Sequence, residues 1–531
     1  MLNPTIRWTL IVLAVVALLS LLALWSWGRF AARAQGEPAS ALPVADGATA
    51  LDRLTQPLLA AQAPQASGAA MLGDGVQAFV ARARSARAAE RSLDVMYYIW
   101  HADLTGHLLQ HELMAAAERG VRVRLLIDDM NVAGRDDALL AMDAHPNLEV
   151  RLFNPSRNRA GGLRRALEMG LRFVGFTRRM HNKAWIADNR LAIVGGRNVG
   201  DEYFDAADDT NFQDADLLLL GPAVAQTSDV FDAFWNSAAV VPLRALHSRG
   251  SRWTTEEFAA RRAQWWADAQ ATPWVQALAG RDDLQDKLRP GGGLTLHWSP
   301  SLRVLSDPPE KASPLAQQQE RAGWLLFDVM ALLFSAERDS WLISPYFVPG
   351  ETGTLLLAGQ ARRGVQVRVL TNSLAANDVP VVHAGYMDYR APLLRQGVTL
   401  YELRPGSAKT ERELLGSSGA SLHTKAFVVD GARGFVGSYN FDPRSAQLNT
   451  EMGVVFDHPA LAAEVRQLFD TGTRPESAWR VELAEGGGLR WQAEGGAGSE
   501  GERVWTHEPE TSAGLRALVW LLGWLPIESQ L

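Results

Sequence analysis

The chain has 531 residues, 47% apolar and 21% charged, a balance that excludes a disordered polypeptide and allows two full cores. It contains no cysteine, which excludes disulfides and thiolate metal sites. A formal net charge of −7 argues against a general nucleic-acid binder, whose affinity would rest on many Lys and Arg contacts to phosphate.

In chain order, the first feature is Trp8 to Gly28, 21 residues without a charge, bracketed by Arg7 and Arg29. About 20 such residues span a bilayer core, and Trp8, Trp25 and Trp27 stand where interfacial aromatics would. "AARA" ends in the A-x-A pattern of a signal-peptide cleavage site, but the apolar region is longer than a signal peptide uses, so residues 1–34 read as an uncleaved anchor. Residues 35–50, with "EPASALPVADGA", read as a linker. A first unit is expected over 51–241, with "SLDVMYYIW" as its opening strand, followed by helix, strand, helix and strand. From Arg151 to Lys183 there are nine Arg and Lys against one Glu, either a solvated basic face or a patch that draws anionic lipid headgroups. Residues 242–320 read as an irregular connector containing "RPGGGL" and the pair Trp265 and Trp266, expected in core packing. A second unit, 321–484, opens with "SWLISPYFV". The extension 485–531 holds a Gly-rich loop or hairpin and an apolar run too short to span, which either lies on a membrane or packs on the domain. Strands alternating with helices in both units predict an α/β layered fold.

The chemistry sits in "RRMHNKAWIADNRLAIVGGRNVGDEY", from Arg178 to Tyr203. Two short apolar runs split by Asp-Asn predict a hairpin, and the period of two puts His181 and Lys183 on one face, a geometry suited to an anion. A lone H-x-K is usually an incidental surface hairpin. Here the spacing recurs: "SLHTKAFVVDGARGFVGSYNF" repeats it as His423, Lys425, Asp430, Gly437, Ser438 and Asn440. "AERGVRVRLLID" likewise answers "ARRGVQVRVLTN". Self-similarity at roughly 240 residues means two copies of one domain-sized unit, and two half-motifs imply one shared site.

The motif H-x-K-x4-D-x6-G-[GS]-x-N, in two copies, resembles the phospholipase D superfamily, over nearly everything from Leu51 onward. "RRMHNK", "VGGRNVGDEYF" and "LPIESQL" are most similar to bacterial cardiolipin synthases of the C type. Gly196, where the second copy has Ser438, is the one small departure. The resemblance implies tandem α/β/α units sharing a site on a pseudo-twofold axis, a phosphatidyl-histidine intermediate, and His181 as nucleophile with His423 as acid/base. By sequence the two histidines are interchangeable. It also implies phosphatidylglycerol and a second phospholipid, phosphatidylethanolamine among the candidates, as substrates in a bacterial inner membrane. An N-terminus inside would put the catalytic part on the periplasmic side.

A phosphodiester repels nucleophiles, so the site must supply positive charge. Lys183 and Lys425, with the amides of Asn198 and Asn440, are expected to hold the nonbridging oxygens, with no metal and no cofactor. Asp188 and Asp430, the third members of each motif, are expected to fix the turns and partner the lysines. A catalytic imidazole needs an acceptor on its other nitrogen. Glu451 is expected in that role for one ring, and of Asp214 and Asp216 the expectation falls on Asp216 for the other. Competing readings are a hydrolytic phospholipase D, a phosphodiesterase or nuclease, and a non-catalytic membrane adaptor.

Overall fold

The computed structural model describes residues 3–531 except 133, 160, 248–249, 279–287, 289–292, 314–320, 322, 407–418 and 494–502. Most of "RPGGGL" and the Gly-rich stretch after 493 therefore lie outside the described residues. Helix α1 (Pro4–Ala34) is started by the Asn3 side chain, which accepts from the Thr5 N–H, with Pro4 in the first turn where no intrahelical donor is needed. Among the described residues it is the one helix long and apolar enough to cross a bilayer.

The first sheet collects β1 (Ser67–Leu72), β2 (Ser92–Tyr97), β3 (Arg122–Asp128), β4 (Leu148–Phe153), β5 (Ala184–Ala187), β6 (Leu191–Gly195), β8 (Asp216–Leu220), β9 (Val240–Pro242) and β10 (His297–Ser299), while β7 (Thr210–Gln213) stands apart from it. Its order is β10-β1-β8-β6-β5-β2-β3-β4-β9, with β2, β3 and β4 parallel. Helices α2 (Gly75–Ala88) and α3 (Leu104–Glu118) fill its outer face with Phe79, Leu109 and Leu113 against Val95 and Leu125. After β4 come the short helices α4 (Gly162–Leu171) and α5 (Phe173–Phe176), and after β8 comes α6 (Pro222–Trp235).

The second sheet repeats the plan with β12 (Asp339–Ile343), β13 (Gln366–Asn372) and β14 (Thr399–Leu403) parallel, then β16 (Ala426–Val429), β17 (Arg433–Gly437) and β18 (Met452–Asp457) antiparallel. The connector is less separate than its composition indicates. Helix α7 (Thr255–Gln270) lies on the first unit, with Trp265 stacked on His107 and Trp266 on His111. Strand β10 then joins the edge of the first sheet and β11 (Arg303–Ser306) the edge of the second. A shared core lies between the sheets, where Met96, Ile186 and Val194 meet Val428, Val436 and Val454. One further pairing crosses between units: β15 (Gly419–Leu422) runs parallel to β7.

Helix α8 (Pro380–Arg395) flanks the second sheet, and α9 (Pro459–Gly472) enters the shared core through Leu461 and Val465. Beyond β19 (Ala478–Leu483), β20 (Leu489–Ala493) and β21 (Arg503–Trp505), helix α10 (Ala513–Leu522) buries Val519 against Leu374 and Ala384 near the start of α8. The C-terminal apolar run thus packs on the domain with one face while Trp520, Leu521 and Trp524 stay exposed.

Candidate active site

Each H-x-K segment leads into a tight β-hairpin, β5–β6 or β16–β17. The turns require the left-handed backbone, with φ of 53° at Asp188, 54° at Asn189, 54° at Asp430 and 70° at Gly431, and Asp and Asn tolerate it better than most side-chain-bearing residues. The Asp188 carboxylate accepts the backbone N–H groups of Glu90, Arg91 and Ser92, and Asp430 accepts those of Glu337, Arg338 and Asp339. The expectation for these aspartates is half met. They fix the turns, but at the end of each hairpin away from the histidines, and they do not partner the lysines. Each lysine instead donates to the carbonyl of its own histidine, Lys183 Nζ to His181 O at 2.6 Å and Lys425 Nζ to His423 O at 2.5 Å.

The two histidines are held by the opposite units. The His181 N–H donates to Thr450 O and the His423 N–H to Gln213 O, at 2.9 and 2.8 Å. His181 Nδ1 lies 2.8 Å from Glu451 Oε2, and His423 Nδ1 lies 2.6 Å from Asp214 Oδ2. Each ring therefore takes its acid from the other half of the chain.

The acid for His423 is Asp214, where Asp216 was expected, and sheet register gives the reason. Gly195 pairs with Asp216 while the Gly196 N–H bonds Ala215 O; in the second unit Gly437 pairs with Gly453 while the Ser438 N–H bonds Met452 O. Asp214 is thus the structural counterpart of Glu451, and Asp216 that of Gly453. Asp216 turns instead to Arg82, 2.9 Å away in a fully buried ion pair. The two acids are supported differently. Ser438 Oγ donates to Glu451 Oε2 at 2.5 Å and Ser445 Oγ to Oε1 at 2.8 Å. On the other side a Cβ at position 196 would stand 2.2 Å from Asp214 Oδ1, so Gly196 makes the room that the shorter acid occupies.

The two asparagines diverge as well. Asn198 accepts the Ile99 N–H and donates to Tyr203 Oη, so its amide is largely engaged in holding Tyr203. The Asn440 Oδ1 is buried without a hydrogen-bond partner. Three aromatic residues that sequence reasoning did not single out enclose the rings: Tyr98 edge-on to His181, Tyr203 edge-on to His423, and Phe212 stacked on His423. Tyr98 lies just past β2, at the end where active-site residues gather in parallel strands, which is the one signal that could have found it.

The side chains of His181 and His423 keep 9% and 8% of their surface exposed, while both lysines are 1% exposed, so the imidazoles are the more reachable groups and the ammonium groups are enclosed. Burial, reinforced by Lys183 and Lys425, holds His181 well below its ordinary pKa; burial with Lys425 and Lys183 does the same for His423. Burial also brings Lys183 down to about 7 and Lys425 to about 8, and lifts Glu451 to about 7. Asp214 is raised for the same reason. Burial thus makes charge on these groups less favourable than in water, and a phosphodiester placed between the lysines would favour their charged forms. Outside this site, His101, Asp103 and Glu202 form the one cluster with metal-ligand spacing among the described residues.

A family model described as cardiolipin synthase, PLD-like domain, matches residues 83–235 and 329–472, one segment in each unit. Cardiolipin synthase C of Escherichia coli (strain K12) is 41% identical over 474 residues, 88% of this chain and 97% of that protein. A cardiolipin synthase of Geobacillus thermodenitrificans (strain NG80-2) is 28% identical over 388 residues, 73% of this chain and 62% of that protein. Among solved structures, a phosphatidylserine synthase of Haemophilus influenzae Rd KW20 shares the fold, with a TM-score of 0.55 at 15% identity over 91% of this chain and 100% of that one.

Proposed function

This chain belongs to the cardiolipin synthase family of phospholipase D-like enzymes, and from that premise we propose that it joins phosphatidylglycerol to a second phospholipid through a phosphatidyl-histidine. The observation that carries the reading is the exchange of acids between units, His181 with Glu451 and His423 with Asp214. With Nδ1–H committed to a carboxylate, the lone pair of each neutral ring sits on Nε2, ready for phosphorus or for a proton. His181 Nε2 attacks the phosphorus, the bond to the headgroup alcohol breaks, and His423 gives that alkoxide its proton. The hydroxyl of the second lipid then surrenders a proton to His423 and attacks the same phosphorus, releasing His181. The depressed imidazole pKa suits a neutral nucleophile, and the charge of the bound phosphodiester favours the protonated form that His423 needs as acid. Lys183 and Lys425 neutralise the nonbridging oxygens, with the Asn440 amide beside them. Asp214 and Glu451 act as positioning residues. Water in place of the second lipid would give phosphatidic acid, and the ratio of the two products separates synthase from lipase. The cardiolipin synthase relatives and α1 point to a membrane-anchored protein; a bacterial inner membrane with the catalytic units on its periplasmic side is the assignment we favour.

A nitrophenyl phosphodiester, whose leaving group needs no proton, separates the histidines. His423→Ala should be inactive on natural lipid yet release a stoichiometric burst of nitrophenol, while His181→Ala should release none. A burst confined to His181→Ala would reverse the roles, and equal bursts would overturn the assignment of one nucleophile and one acid.

A further inference from the structure

Three surfaces that the catalytic reading does not use lie at one end of the molecule. The first is the end of α1. Its Trp25, Trp27 and Arg29 form the boundary between the apolar run and the charged residues that follow, which is where a spanning helix meets the headgroups. At this level α1 touches α4 and the residues on either side of it: the guanidinium of Arg172, just after α4, lies 3.9 Å over the Trp27 ring, and that of Arg157, in the loop before α4, lies 4.4 Å over the Phe30 ring. The second surface is α4–α5 itself. Leu163, Leu167 and Val174, spaced at four and seven residues, are 85%, 59% and 60% exposed, far more than single apolar side chains on a soluble surface need be, and Arg164 stands exposed between them.

The third surface belongs to the other unit. Helix α10 turns Val519 inward and leaves Trp520, Leu521 and Trp524 57%, 59% and 74% exposed. Arg444 ties this region to the end of α5. Its Nη1 donates to Thr177 O at 3.0 Å, its Nε to Gln530 O at 3.0 Å and its backbone N–H to Leu531 O at 2.5 Å. The last residues of the chain, eight and nine beyond the end of α10, are thereby held beside the residue that directly follows α5. This is also the end at which the parallel strands β2, β3 and β4 deliver Tyr98, Asp128 and Asn154, and therefore the catalytic end.

We propose that α4–α5 and α10 form one lipid-facing surface, contributed by both units, that seats the catalytic end flat on the same bilayer that α1 crosses. The bilayer is the occupant that these observations favour. An interfacial surface combines bulky apolar and Trp side chains with cationic neighbours, as here, and it is continuous with a helix whose own interfacial residues touch it. The seating goes beyond the chemistry proposed above, since it concerns where the protein rests and holds whichever lipid reacts.

The absence of native cysteine allows the test on the full-length chain. Leu167→Cys and Trp524→Cys each carry a fluorophore in reconstituted liposomes, and Arg395→Cys, exposed at the last turn of α8 and so at the opposite end of the second unit, serves as reference. Lipids with a quencher near the headgroup should quench both test labels at least twofold more than the reference, and aqueous iodide should reach both at least twofold less. Equal quenching at all three positions would overturn the proposal. Strong lipid quenching at only one test position would overturn the claim of a single surface. Protection from iodide without lipid quenching, with disulfide-linked dimers of the unlabelled variants, would assign the surface to a second copy of the chain instead. Retained transferase activity in the labelled variants shows that each is folded.

Discussion

Replacing Gly196 by alanine adds one methyl to the site and should cost most of its activity. The new Cβ would lie 2.2 Å from Asp214 Oδ1 and 2.8 Å from Oδ2, well inside contact distance. The backbone at 196 is fixed by its bond to Ala215 O, so the carboxylate has to move. Asp214 is held by the Ala215 N–H at 2.8 Å and by His423 Nδ1 at 2.6 Å, and rotation away from the methyl breaks the second of these. A hydrogen bond to a charged group contributes about 1.5–3 kcal/mol. If that is felt wholly in the transition state, kcat falls roughly 10- to 150-fold. The assay is cardiolipin formation from phosphatidylglycerol in mixed micelles, with the melting temperature measured alongside. Ser438→Ala supplies the contrast, because it removes a donor from Glu451 without crowding it and Ser445 still holds the other oxygen; its loss should be smaller. Activity of Gly196→Ala within twofold of wild type at an unchanged melting temperature would refute the claim that Gly196 exists to admit Asp214.

Asp216→Asn should act on stability, since it strands Arg82 in a fully buried pair and such a loss costs about 3–5 kcal/mol, whereas Asp214→Asn should leave the melting temperature nearly unchanged and lower kcat. The lysines set a pH dependence. Lys183 falls from 10.5 to about 7 in the fold, so the unfolded chain binds more protons between those values and the stability of the ligand-free protein rises with pH across that window. Binding a non-hydrolysable phosphodiester should therefore take up protons and weaken as pH rises through 7, as calorimetry in buffers of different ionisation heat will show, and Lys183→Met should lower that uptake. If Lys183 and Lys425 supply the positive charge, as proposed, transfer should also persist in a strong chelator; loss restored by one particular divalent metal would contradict this.

The features legible in the sequence were those set by local pattern and repetition. The two hairpins and the pairing of the half-motifs follow from period-two alternation and from one motif read twice, and "SLDVMYYIW" and "SWLISPYFV" do form strands, but the first unit opens one strand earlier, with β1 (Ser67–Leu72), whose small residues carry no alternation. What escaped depended on contacts between distant segments. Asp214 and Asp216 point to the same side of an extended chain, so periodicity cannot choose between them; the choice is made by register against β6, which places Gly195 opposite Asp216. The parallel pair β7–β15 and the edge strands β10 and β11 are three or four residues long and gain their stability from partners in other parts of the chain. No propensity within such short segments could announce them. The motif position of Asn198 points to a phosphate ligand, and only the neighbouring Tyr203 shows what its amide holds.

The crossed acids have a consequence for descent. A single unit of this kind, standing alone, has a histidine without its carboxylate and a carboxylate without its histidine, so it could complete a site only by pairing with a second unit, and the simplest such pair is two identical chains. In such a pair every mutation appears twice, and both rings must share one environment. Fusion into one gene lifts that constraint. It permits the glycine and aspartate of one half to differ from the serine and glutamate of the other.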